Sequence, residues 1–148
     1  AQVVFTLTQF PTVERVRFEL GGEPVGAIGG EGVVVDPPVG RREFEGQAPA
    51  ILVESPAPFE RVTSPLRIRG SANVFEATFG AELADGAGKV LVEEVVTATS
   101  GTGERGTFDA ELSFEPGTPG RLVLTVFTYS AKDGSRQDAV EIPLELAS

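Results

Sequence analysis

Histidine, cysteine, methionine and tryptophan are all absent from this sequence, and tyrosine occurs once. Without His or Cys there can be no zinc site of the usual kind, no thiol nucleophile, no Ser-His-Asp triad and no disulfide. Calcium needs only oxygen ligands, but neither Asp85-Gly86 nor Asp133-Gly134-Ser135 sits in the alternating acidic spacing of a calcium loop. No structural metal and no cofactor are therefore expected. Basic residues are scarce, 12 against 22 acidic, for a net charge of −10. Nucleic acid and anionic membrane surfaces demand clustered Lys and Arg, so both are unfavourable partners. No apolar run approaches the roughly 20 residues that span a bilayer, and no membrane insertion is expected of this chain. The sequence begins at Ala1 in the middle of a pattern, with no Met and no signal-like segment, and reads as a fragment or processed product.

What remains is written in strands. From Gly120 to Leu146 the chain reads as two long β-strands joined by a polar loop with Asp133-Gly134 at its tip. Val140, Ile142, Leu144 and Leu146 recur at period two, with Glu141 and Glu145 between them, the pattern of a strand half buried on a core. Asp-Gly suits the turn, since Gly accepts positive φ and Asp bonds to nearby backbone. Pro143 interrupts the second strand and cannot donate to a ladder, so its nitrogen is expected on an unpaired side.

Upstream, residues 1–20 read as a helix end followed by a strand. Val3, Val4 and Leu7 keep helical spacing ahead of Pro11, and Val16, Phe18 and Leu20 alternate along Val13–Leu20. Residues 21–32 are glycine-rich and read as a flexible loop, Val33–Val35 as a short strand, and residues 41–50 as a linker with a boundary near Gln47. Beyond Ala50, five short strands precede the hairpin: Ile51–Glu54, Leu66–Gly70, Thr78–Ala84, Lys89–Thr99 and Thr107–Glu115. The fold class expected is mainly β, a seven-stranded immunoglobulin-like sandwich over residues 47–148, preceded by a small α+β fragment over residues 1–46. Such a fragment is too short to enclose a core of its own. Its apolar row Val16, Phe18 and Leu20 would be covered by a second copy, giving a homodimer through the N-terminal segment.

Several stretches carry a family resemblance. Ser55-Pro56, Ser64-Pro65-Leu66, Gly70-x-Ala72-x-x-Phe75-Glu76, Gly106-x-Phe108 and Ser130-Ala131-Lys132-Asp133-Gly134-Ser135 resemble the immunoglobulin-like domain that accompanies GerMN domains in bacterial spore-germination proteins. Thr6-Leu7-Thr8, Pro11-x-Val13 and Val16-x-Phe18 are similar to the C-terminal part of a GerMN domain, although Gly21-Gly22 stands where that family more often has an Asp-Gly-like turn. The resemblance implies an extracytoplasmic protein of the bacterial cell envelope, commonly anchored in the membrane as a lipoprotein. It implies a non-catalytic module that binds another envelope protein, and supplies no catalytic residue. The alternative is a carbohydrate- or cell-wall-binding sandwich, disfavoured by one Tyr and no Trp for a sugar platform.

Few side chains stand out as site candidates. Glu93 and Glu94 are adjacent on a strand and point to opposite faces, so they cannot work as a carboxylate pair. The weak binding candidates are Asn73, Phe75 and Glu76, a non-alternating segment between two strands, and Asp133. For Phe75 a structural role is expected, anchoring the crossover in the core while Glu76 caps backbone amides. For Asp133 turn chemistry is expected.

Overall fold

The computed structural model describes residues 1–117 and 119–147, and the chain divides into two compact units, Ala1–Ala48 and Pro49 onward. No helix among the described residues is long and apolar enough to cross a membrane.

The first unit begins with helix α1 (Gln2–Leu7). It buries Val4, whereas Val3 and Leu7, expected on the same face, are exposed. The helix stops ahead of Pro11, and Arg41 reaches its last turn. The Arg41 guanidinium donates to the Phe5 carbonyl at 3.2 Å and to Thr8 Oγ1 at 2.7 Å. The strand expected over Val13–Leu20 does not form. Val16 makes a single bridge to Val39, and only β1 (Glu19–Leu20) is extended against β2 (Glu23–Pro24). Consequently Val16 is buried while Leu20 is 80% exposed, and the row expected to cover a second copy is not one face. The glycine-rich stretch is not a plain loop either. Gly21 and Gly22, at φ +63° and +90°, make the tight turn between β1 and β2 that only positive φ allows. A second ladder pairs β3 (Ala27–Ile28) with β4 (Val33–Val34). Residues 41–50, read as linker, contain a 3-10 helix (Arg42–Gln47) whose Phe44 is buried. Phe44 joins Val4, Val16, Val35 and Val39 in a small core, so the unit does enclose one of its own.

The second unit is an immunoglobulin-like β-sandwich. Its strands are β5 (Ile51–Ser55), β6 (Arg61–Val62), β7 (Leu66–Ala72), β8 (Thr78–Asp85), β9 (Val90–Thr97), β10 (Gly106–Leu112), β11 (Arg121–Tyr129) and β12 (Arg136–Leu146). The seven expected strands are all present, and β6 adds an eighth of two residues. One sheet has the order β10-β7-β5 and the other β6-β12-β11-β8-β9. All neighbours are antiparallel except β12 and β6, which run parallel. The period-two pattern explains the packing: Leu66, Ile68, Phe79, Ala81, Leu83, Phe108, Leu112, Leu122, Leu124 and Val126 all turn inward from the two sheets. Phe79 of one sheet meets Phe108 of the other edge to face at 4.9 Å. At ~1.5–3 kcal/mol for each large side chain buried, this layer is the main source of stability.

Two details fix the sheets at close range. Gly70 lies where a Cβ would collide with the Leu52 carbonyl and stand 2.8 Å from Phe108 Cζ. Pro143 has its ladder partner, Val123, on β11 only. On its other side β12 meets β6 at Glu145 and Leu146, beyond the proline, so no bond is demanded of the missing N–H. Along β12 the register slips opposite Val126–Thr128, and Asp138 there takes φ +50°. On the edge strand β9, Glu93 stands opposite Glu82 and Glu94 opposite Ala81, so the two carboxylates lie on opposite faces as the alternation requires.

Candidate functional site

The segment from Asn73 to Ala77 crosses from β7 in one sheet to β8 in the other, by way of a short 3-10 turn (Phe75–Ala77). Phe75 is not a core anchor. It is 69% exposed, while Val74, the residue before it, takes the buried position. Val74 continues the inward row of Leu66, Ile68 and Ala72, and the phase shifts only after Phe75, where Glu76 and Ala77 adopt φ +53° and +58°, left-handed values that L residues with a Cβ rarely hold. Nor is a capping bond from the Glu76 carboxylate seen; that side chain is exposed, and it is the Glu76 amide that acts, donating to Thr102 Oγ1 at 3.1 Å.

A second loop, from Ser100 to Arg105, holds the segment in this shape. Asn73 Oδ1 accepts from the Gly103 amide at 3.0 Å, and the Val74 carbonyl accepts from Thr102 at 2.9 Å and Ala77 at 3.2 Å. Gly101 lies so close to Val74 and Ala77 that a Cβ would strike their backbone. Asn73, Phe75 and Glu76 thus come together at one end of the sandwich, on a braced loop whose aromatic ring faces water. Asp133 is not with them. It sits in the β11–β12 turn, where its carboxylate accepts from the Ser135 amide at 3.0 Å and the Ser135 hydroxyl at 2.7 Å. The Ser135 hydroxyl, above all, holds its carboxyl below the ordinary range. This is turn chemistry, and Asp85 does likewise for Ala87 and Lys89. No group of three or more metal-ligating side chains occurs among the described residues.

One cluster escaped the sequence reading. On the outer face of the larger sheet the Arg136 guanidinium lies 4.1 Å from the centre of the Phe127 ring. It donates to Glu82 at 2.6 Å and Glu93 at 3.0 Å. Tyr129 packs edge on against Phe127 at 5.2 Å and donates to Glu93 at 3.2 Å. Burial, then the Glu93 hydrogen bond, pushes the Tyr129 phenol above its usual pKa, and Glu82 raises that of Arg136. Phe127 is fully buried on this outer face because Gly80 opposite leaves room for its ring. The glycine opposite an aromatic was the only signal available, and it needs the strand register to be seen.

The sandwich and its braced loops place the second unit among immunoglobulin-like modules. Residues 50–135 match the family described as the immunoglobulin-like domain of bacterial spore germination, and the chain belongs to that family. Residues 1–26 match a second family, described as sporulation and spore germination. Among curated proteins none matches the chain. One similar solved structure is the crystal structure of CopC from Methylosinus trichosporium OB3b, 17% identical with a TM-score of 0.41. It covers 65% of this chain and 92% of that one, and a likeness of that depth carries no argument about function.

Proposed function

We propose that this chain is part of an extracytoplasmic, membrane-anchored lipoprotein of the spore-germination type, and that its sandwich is a non-catalytic module binding another envelope protein. On this reading residues 1–46 are the C-terminal part of a GerMN-like domain with its linker, and residues 47–148 are the binding module. Membership of the immunoglobulin-like germination family supports the setting. The observation that carries the binding role is Phe75, an aromatic ring held in water at 69% exposure on a loop that its neighbours keep rigid. A flexible loop would let such a ring fold back onto the surface. A braced one keeps it presented, which lowers the ordering cost on contact, and aromatic anchors supply much of the energy at interfaces. Glu76 beside it would favour a basic group on the partner.

The test is site-specific crosslinking in intact envelopes. A photoreactive side chain at position 75 is expected to give a discrete protein adduct, and one at exposed Thr107 none. Added Phe75→Ala protein should compete roughly tenfold more weakly than the unaltered protein. Adducts that are the same from both positions, or equal competition by Phe75→Ala, would refute the assignment.

A further inference from the structure

We propose a second site, in the cleft beside β6 and β12, that takes a carboxylate carrying an apolar group. The cleft has a volume of about 590 Å³, within the size range of small-ligand pockets, and Phe59, Arg61, Arg121, Pro143 and Glu145 line it. Three of these residues form one row. Glu145 on β12 is the register partner of Arg61 on β6 and of Arg121 on β11, so all three side chains rise from the same face of adjacent strands. Two arginines therefore flank one glutamate in the row, on a chain whose net charge is −10. The single carboxylate is weakly engaged: Arg61 Nε lies 3.5 Å from Glu145 Oε2. The Arg121 guanidinium makes no hydrogen bond or ion pair among the described residues, which leaves its planar fork of donors open to an incoming carboxylate.

The apolar wall is equally distinct. Phe59 has φ +67°, unusual for so bulky a residue, and its ring is 66% exposed. The loop holds it there through three bonds. The Phe59 amide donates to the Pro143 carbonyl at 2.6 Å, the Glu145 amide to Glu60 O at 3.0 Å, and the Ala57 amide to Glu60 Oε2 at 2.8 Å. Phe59 and Pro143 thus offer a fixed apolar surface next to an unclaimed cation. A ligand matching both has a carboxylate for Arg121 and a hydrophobic substituent for Phe59. Such a group can come from a free organic acid or from the C-terminal residue of a peptide.

Side-chain NMR of the two arginines and of Phe59 in the full chain distinguishes these sources. The probes are N-acetyl-phenylalanine, its amide, and a pentapeptide ending in Phe with a free or amidated terminus. The carboxylate forms are expected to shift Arg121 and Phe59 signals saturably and the amides not at all. Saturation by the peptide at tenfold lower concentration than N-acetyl-phenylalanine would assign the source to a chain terminus; equal or weaker binding would assign it to a small acid. Arg121→Gln and Phe59→Ala should each weaken binding at least about tenfold, the loss of one charge-assisted pair or one aromatic contact. No saturable shift by either carboxylate, binding of the amides as tight as of the acids, or undiminished binding by Arg121→Gln would overturn the proposal. Arg121 is exposed and outside the core, so that variant tests the idea even where Phe59→Ala disturbs the loop.

Discussion

The two units of this chain solve the problem of burying apolar residues on different scales. In Ala1–Ala48 five residues form the core, drawn from a helix, a single bridge, a 3-10 turn and, for Val35, the residue after β4, while Val3, Phe10, Leu20 and Val34 remain exposed. From Pro49 onward twenty buried residues pack between two sheets, and inward positions follow one another along whole strands. The difference is one of regularity. A long strand commits every second side chain to the same layer, so one packing decision is repeated many times, whereas two-residue ladders commit almost nothing beyond themselves.

Phe79→Ala offers the most forceful way to sharpen this contrast. Phe79 is fully buried at the inter-sheet ring contact, and truncating it should cost about 3–5 kcal/mol, a large share of a typical domain stability. Urea unfolding followed by circular dichroism gives the value; a loss under ~1 kcal/mol would mean the two sheets do not depend on that contact. The matching change in the first unit, Phe44→Ala, should instead appear as faster amide exchange across residues 1–48.

Glycine substitutions separate the units a second way. Gly70→Ala pushes a methyl into the Leu52 carbonyl and the Phe108 ring, and should destabilise by roughly 1–3 kcal/mol. Gly26→Ala in the first unit meets no atom within 4 Å, and should stay within about ±0.5 kcal/mol. Equal midpoints for the two variants would erase the distinction between a tightly packed and an open unit.

The mildest effect concerns pH. Tyr129 is the one tyrosine in the chain, so phenolate absorbance reports it alone. Its folded pKa is raised, first by burial and then by Glu93. A raised pKa means that the neutral phenol is favoured in the folded state. The stability it lends is complete below the unfolded value of about 10 and is lost as pH rises through the folded one. The absorbance midpoint should lie above the ordinary tyrosine value and move down in Glu93→Gln. A midpoint at the ordinary value in both proteins would show that the cluster with Arg136 is not formed in solution.

Where strands are long, most of this was legible. Ile68 inward and Arg69 outward, or Leu144 inward and Glu145 outward, follow from alternation alone, and the place of Pro143 from its missing N–H. The first unit was misread because its order comes from contacts between distant short pieces. Nothing local marks Phe44 as a core residue, and Gly21-Gly22 makes a turn where flexibility was the simpler reading. Phe75 was misplaced for a related reason. The inward positions of β7, Leu66, Ile68 and Ala72, run on to Val74 and leave Phe75 outside; Glu76 and Ala77 then shift the phase to Phe79, and neither is a residue type that announces positive φ. The Arg61–Glu145–Arg121 row was invisible because its members come from three strands whose register only the folded sheet defines.

Glu94 carries a consequence of another kind. It occupies a core-side position on the outermost strand, where its carboxylate escapes to water past the sheet's rim. A further strand added alongside would close over that charge and strip it of solvent, a cost of several kcal/mol with no cation supplied. Fibril-like growth from this rim is thereby discouraged at its first step. Molecules meeting rim to rim at high concentration would therefore part again rather than join their sheets.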